Sequence, residues 1–149
     1  MTIQENERLA RLWYEVMWSK PDPDLADEII DPDYAPAWIQ IDKKGPAQVK
    51  HEMKYFRSVF PDLKYEIVDL SVLPDGVWIR YKAKGTQLGP AWGFPATGKT
   101  VEYEGVTILY IRDDKVIDQW SSFSFYDMLT DLELVPPLWV LKDFIQWPR

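Results

Sequence analysis

The sequence predicts an α+β fold, a curved antiparallel sheet whose concave side is closed by helices around a pocket. Three observations point to it. Residues 100–125 read as two long β-strands joined by a tight turn, and residues 63–70 and 77–86 read as two more. Residues 3–19 and 46–60 carry apolar side chains at helical spacing. Small and hydroxyl residues stand beside aromatics in the long hairpin, which suits a cavity wall better than a filled core.

In the first helix Leu9, Trp13, Val16 and Met17 fall at i, i+4, i+7 and i+8. Lys20-Pro21-Asp22-Pro23 ends it, and Asp24 is placed to cap a short second helix, Leu25 to Ile30. Asp31-Pro32-Asp33 breaks the chain again. Tyr34 to Ile41 is short, aromatic and interrupted by Pro36, and reads as an edge strand entering the cavity. Gly45-Pro46 opens a third helix with proline in its first turn, and Val49, Met53, Phe56 and Phe60 form its buried stripe. His51 lies roughly 160° around that helix from Met53 and is expected to face solvent.

In the strand 77–86, Arg80, Lys82 and Lys84 point one way and Ile79, Tyr81 and Ala83 the other, with Gln87 continuing the inner side. The basic row is the solvated face. Gly93-Phe94-Pro95-Ala96-Thr97-Gly98-Lys99-Thr100 spells a phosphate-loop pattern, but a β-run follows where a helix must stand, so it is read as a turn into a strand. In the hairpin, Tyr103, Gly105, Thr107, Leu109 and Ile111 share one face. Arg112-Asp113-Asp114-Lys115 makes the turn, and by strict alternation Trp120, Ser122 and Ser124 share a face of the return strand. Residues 126–132 read as a helical turn or two. Leu138, Leu141, Phe144 and Ile145 lie at helical spacing in an apolar tail suited to covering the cavity mouth or a partner subunit.

The chain of 149 residues suits one domain, and its net charge of -7 argues against nucleic acid or anionic membranes as partners. There is no cysteine, hence no disulfide, thiolate nucleophile or cysteine zinc site, and one histidine leaves no His-rich metal site. No apolar run approaches the ~20 residues of a membrane span. The N-terminus is charged, unlike a signal peptide. A cytoplasmic protein without metal is expected. Eight Trp, eight Tyr and six Phe are enough for a core, a dimer interface and the lining of a pocket for flat, apolar ligands.

Several segments carry a family resemblance. Residues 28–34 read EIIDPDY, and Val59-Phe60-Pro61-Asp62-Leu63 is similar to "AFPDL". Gly85-Thr86-Gln87 stands for "GTH", and Pro95-Ala96-Thr97-Gly98-Lys99 for "PPTGK". Lys115 to Trp120 is similar to "GKIVExW", and Met128 to Leu132 to "LLxQL". On these motifs the chain resembles the SnoaL-like polyketide cyclases of the nuclear transport factor two-like superfamily, from the first helix to Pro137. The resemblance implies a domain over residues 1–137 with an apolar tail over 138–149, and a cone-shaped barrel with an internal pocket. It also implies aldol cyclisation of a polyketide ester without metal or organic cofactor, through an Asp on the last strand aided by histidines. Here that Asp is Ser124, the "GTH" histidine is Gln87, and the histidine expected after the DYVD-like segment is Ala37. Three proton-handling positions are thus occupied by groups that do not titrate near neutral pH.

The expected site is therefore built from neutral groups. Tyr81 and Tyr103, with Gln87 and Ser124, are the expected catalytic positions, the tyrosines polarising or protonating the substrate. Trp38, Thr107, Trp120 and Ser122 are expected to contact it. One reading is a cofactor-free enzyme that cyclises, isomerises or hydrates a polyketide-like or terpenoid molecule. The alternative is a binding protein that kept the pocket and lost the chemistry, and a third is a scaffold with a filled pocket. A small apolar or aromatic ligand and a homodimer are the expected partners.

Overall fold

The computed structural model describes residues 2–144. Thr2 starts helix α1 (Ile3–Arg11) through a capping box. Its hydroxyl accepts from the Glu5 N–H at 3.1 Å, while the Glu5 carboxylate accepts from the Thr2 N–H at 3.2 Å. The helix runs on as a π-helical segment (Leu12–Trp18). Hydrogen bonds that close five residues on bring residues five apart into line. Trp13, Tyr14, Met17 and Trp18 are all buried as a result, a wider apolar face than an α-helix would present. Helix α2 (Leu25–Ile29) follows; Asp24 precedes it but makes no side-chain capping bond. Helix α3 (Pro46–Val59) begins at the proline read from the sequence, with His51 exposed and Val49, Met53 and Phe60 buried.

Among the described residues, strands β1 (Lys64–Leu73), β2 (Gly76–Thr86), β3 (Thr100–Arg112) and β4 (Lys115–Phe123) form one antiparallel sheet in chain order. Helices α4 (Phe125–Asp131) and α5 (Leu138–Leu141) follow. The β3–β4 turn is tight, and both Asp113 and Asp114 adopt positive φ, as a two-residue hairpin requires. On β2 the alternation holds throughout: Val77, Ile79, Tyr81 and Ala83 are buried, and Arg80, Lys82 and Lys84 are exposed. Arg80 and Lys82 each lie 3.8 Å from Glu104 on the outer face. The phosphate-loop pattern leads straight into β3, as its sequence context required.

Two bulges bend the sheet. β1 shifts register against β2 between Ile67 and Asp69, and β4 shifts against β3 beside Ile111, where Val116 rather than Ile117 is the partner. An extra residue in one strand exchanges the faces of everything beyond it. On β4 the buried set is therefore Val116, then Gln119, with Ser121 and Phe123 on the same side, while Trp120 and Ser122 point outward. Trp120 and Ser122 do share a face, as read from the sequence; the bulge at Ile117 corrects the expectation that this face lines the pocket.

The segment Tyr34 to Ile41 is not an edge strand. It is an irregular loop anchored at its start by a parallel bridge from Ile30 to Val116 and at its end by Gly45, whose N–H donates to the Tyr34 carbonyl at 2.6 Å. Gly45 has φ of 68°, and a Cβ there would stand 2.7 Å from the Pro32 carbonyl oxygen, so only glycine lets the loop close onto α3. The described part of the apolar tail, residues 138–144, is helical, but Leu138, Trp139 and Phe144 are exposed and none of them lines the internal cavity. Ile145 and Trp147 lie outside the described residues. Among those described, no helix is long and apolar enough to cross a membrane.

Candidate functional site

Between the helices and the inner face of the sheet lies a half-open cavity of about 180 Å³. The π-helical segment supplies Trp13, Tyr14 and Trp18, α3 supplies Glu52 and Phe56, and the 34–45 loop supplies Trp38. The sheet adds Tyr65, Tyr81, Gln119, Ser121 and Phe123. The floor is a tyrosine trio: the Tyr14 ring lies 4.5 Å from that of Tyr65 and 4.9 Å from that of Tyr81, centroid to centroid. Tyr81 lies over Gly105 of β3, where a Cβ would stand 2.5 Å from the phenol oxygen and 2.7 Å from the Ser122 carbonyl. Glycine at 105 is thus the condition for Tyr81 to occupy the wall.

A chain of hydroxyls runs behind the wall. The Tyr14 phenol meets Thr107 Oγ1 at 2.6 Å, Thr107 Oγ1 meets Ser121 Oγ at 2.7 Å, and Ser121 donates to Gln119 Oε1 at 2.7 Å. An amide oxygen only accepts, and each hydroxyl carries one proton. The chain therefore has one direction: Tyr14 donates to Thr107, and Thr107 donates to Ser121. The Tyr14 proton is thus committed to Thr107. Trp38 lies across the mouth and donates its indole N–H to the Gln119 carbonyl at 2.6 Å, so this donor is also committed.

Glu52 is the charged group in this wall. It stands on the same face of α3 as Val49 and Phe56, three residues after one and four before the other. It forms no hydrogen bond or ion pair with the described residues, and burial alone pushes its carboxyl up from 4.5 to about 7. The phenols around it move the other way from usefulness as bases. Burial raises Tyr14, Tyr34, Tyr65 and Tyr81 well above the usual 10, and Tyr103 to about 12, so all stay protonated at neutral pH. The group best placed to exchange a proton near pH 7 is therefore Glu52.

The structure gathers only part of the site read from the sequence. Tyr81 and Trp38 line the cavity, and Thr107 stands directly behind it in the hydroxyl chain. Tyr103 is one layer further out, its hydroxyl 3.5 Å from that of Tyr65 and its ring packed on Phe123. Gln87 is fully buried but away from the cavity. Its side chain donates to the carbonyls of Gly89 and Pro95 and accepts from the Thr97 N–H and hydroxyl, clamping the loop between β2 and β3. Ser124 ends β4 at the edge, paired with the Glu104 backbone, and precedes α4. Trp120 and Ser122 face out, for the bulge reason given above.

The chief residue missed is Glu52, and the expectation that the interior holds only neutral groups is overturned by it. Its signal was present: a carboxylate interrupts the apolar stripe of α3 at a core-facing position. Tyr14 and Trp18 were missed because α-helical periodicity places them off the stripe of Leu9, Trp13 and Met17, whereas the π-helical turn brings them in. Among the described residues no cluster of three His, Cys, Asp or Glu side chains could hold a metal ion.

The model of the SnoaL-like polyketide cyclase family matches residues 8–132. A search of curated proteins finds no match. Among solved structures, TsrD from Streptomyces laurentii superposes with a TM-score of 0.83 at 21% identity, covering 91% of this chain and 99% of that one. AclR from Streptomyces galilaeus gives 0.77 at 24% identity, with 96% of this chain and 91% of that one covered. A SnoaL-like polyketide cyclase from Agrobacterium tumefaciens gives 0.72 at 15% identity over 89% and 98% of the two chains. At such identities the structural likeness speaks for the fold, and the family model speaks for descent. The chain belongs to the SnoaL-like polyketide cyclase family.

Proposed function

We propose that this protein is a cofactor-free enzyme of the SnoaL-like kind that cyclises, isomerises or hydrates a small polyketide-like or terpenoid molecule, with Glu52 as its proton-transfer group. The observation that carries the reading is the Glu52 carboxyl, unpartnered in an aromatic cavity and raised to about 7 by burial. Such a group is ionised often enough to take a proton from the substrate and protonated often enough to return it. Each of these reactions turns on a proton transfer, with a C–C bond formed in cyclisation and a water molecule added in hydration, and none needs an oxidant or reductant. In this reading the sheet and helices form the cone of the wider fold, and its mouth is the edge where Trp38 lies. The cavity is slightly larger than the ~150 Å³ that holds a single benzene, so a substrate of one ring, or two small ones, fits better than a tetracycle.

The test is turnover against a panel of mono- and bicyclic polyketide esters and epoxides, wild type beside Glu52→Gln. Loss of roughly 10²- to 10⁴-fold is expected, the usual scale of a general acid–base group. Full turnover in the variant would overturn the assignment. The reading of a binding protein is favoured by one observation: Gln87 and Ser124, at the family's proton-handling positions, serve the backbone rather than the cavity. Under that reading ligands bind wild type without being transformed.

The outer face of the sheet supports a homodimer. Trp78, Ile108 and Trp120 stand side by side across β2, β3 and β4, and Ile108 is covered by its two neighbours while both tryptophans remain about half exposed. Arg80 and Lys82 alongside Glu104 rim this patch with both signs, so a second copy related by a two-fold axis meets complementary charge. Sedimentation at micromolar concentration is expected to show a dimer, and the pair Trp78→Glu and Trp120→Glu a monomer with unchanged secondary structure. A monomeric wild type would remove this proposal.

A further inference from the structure

The ligand's charge follows from what the cavity lacks. Its wall holds the rings of Trp13, Trp18, Trp38, Tyr65, Tyr81 and Phe123, with the Glu52 side chain among them, and no lysine, arginine or histidine lines it. Arg57, one and a half turns beyond Glu52 on α3, is turned away and donates to the carbonyls of Trp18 and Pro61. Two donors of the wall are already committed to the protein: the Tyr14 phenol to Thr107 and the Trp38 indole N–H to the Gln119 carbonyl. Aromatic rings and an unpaired carboxylate both attract positive charge. No cationic side chain lines the wall to pair with a free carboxylate.

We infer that the cavity takes an organic cation, a protonated or quaternary amine borne on a small apolar or one-ring skeleton, with Glu52 as its counter-ion and the indole and phenol rings as its cage. The inference rests on the proposed function's cavity being the ligand site and narrows its substrate to one that carries an amine, so the neutral esters and epoxides test the broader reading and the cation probe tests this one. It also supplies what the proton-transfer role needs. A carboxyl raised to about 7 by burial is about half protonated at neutral pH. A cation beside it favours the ionised form, so an arriving ligand holds Glu52 as a base. A neutral ligand would do the reverse, displacing water and leaving the carboxylate more poorly solvated.

The titratable groups facing Glu52 are the phenols of Tyr14 on the π-helical segment and Tyr34 on the loop, with Tyr65 and Tyr81 across the cavity on β1 and β2. All are held protonated by burial through the pH range of a binding experiment. A pH dependence of binding between 6 and 8 therefore reports Glu52.

The experiment is calorimetric titration with benzyltrimethylammonium, with its neutral isostere neopentylbenzene, and with benzoate. The cation is expected to bind wild type at least about tenfold more tightly than the isostere, the scale of a desolvated cation–π contact joined to a charge pair. Its affinity should rise several-fold from pH 6 to pH 8. Glu52→Gln should erase both the pH dependence and most of the preference, while neopentylbenzene binds the variant at least as well as it binds wild type. Equal affinity for cation and isostere, or a cation affinity unchanged in Glu52→Gln, overturns the inference and leaves the cavity as a ligand site for neutral molecules. Preference for benzoate overturns it as well. Failure of all three probes to bind overturns both this inference and the proposed site. A thermal melt of the variant, expected at or above the wild-type midpoint, separates lost recognition from lost folding.

Discussion

Glu52→Gln is expected to raise stability at pH 8 by about 3 kcal/mol more than it does at pH 4, alongside its effect on turnover. The sign follows from linkage. The carboxyl titrates at 4.5 when exposed and at about 7 in the folded cavity. Below 4.5 both states hold the proton and the group contributes nothing to the pH dependence. Between 4.5 and about 7 the folded state binds more protons than the unfolded one, so stability falls as pH rises, and above about 7 the full penalty of a buried charge is present. That interval corresponds to about 3 kcal/mol at 1.36 kcal/mol per tenfold change. Glutamine keeps the shape and removes the titration, and any desolvation of its amide is the same at both pH values and cancels in the difference. Urea denaturation of both proteins at pH 4, 6 and 8 measures it. Two parallel pH curves would mean that Glu52 does not titrate between its exposed and buried values, and the catalytic assignment would fall with it. A gain in stability coupled to a loss in turnover is the signature of a group held in an unfavourable place for its chemistry.

Gln87→Leu is expected to cost about 3 kcal/mol while leaving turnover per folded molecule intact. The side chain uses both its donors and its acceptor inside the protein, on Gly89, Pro95 and Thr97, at distances of 2.7–3.3 Å. Its backbone does the same work, donating to the Lys99 carbonyl and accepting from the Gly98 N–H, both at 2.9 Å. Leucine fills a similar volume but offers none of these bonds, and each buried polar partner left unpaired costs about 1–3 kcal/mol. Part of that is relieved where the loop can open to water. Urea denaturation gives the loss. Amide hydrogen exchange should show faster exchange at Thr97, Gly98 and Lys99, whose N–H groups the clamp holds. A large fall in turnover with unaltered stability would instead return Gln87 to the chemistry. The effect is the larger test of the sequence reading, because this position was expected to orient the substrate.

The clamp shows why family position is an incomplete guide. The motif around Gln87 aligned with a proton-handling histidine, yet Gln87 lies at the end of β2 beyond the cavity, tied to a loop. Glu52 matched no motif and occupies the wall. A motif records which residue type stands at a place in the chain, whereas the role proposed for Glu52 rests on solvent exclusion and on the absence of a neighbouring cation.

The residues alone determined most of the elements, the edge strand read over Tyr34 to Ile41 excepted: helices where apolar side chains recur at helical spacing, strands where they alternate, and the β3–β4 turn at Asp113-Asp114 where the chain reverses. Those are local properties, set by backbone geometry within a few residues. They also determined the exposure of the basic row on β2 and of His51. Tertiary structure alone decided which face of β4 looks inward, because the bulge at Ile117 arises from pairing with β3 and exchanges Trp120 and Ser122 for Gln119 and Ser121. It decided as well that Tyr14 and Trp18 join the cavity, through a π-helical turn that no periodicity announces. Above all it decided the state of Glu52. A carboxylate's affinity for its proton depends on water and charges brought near it by segments far apart in the chain, and only the assembled cavity brings them together.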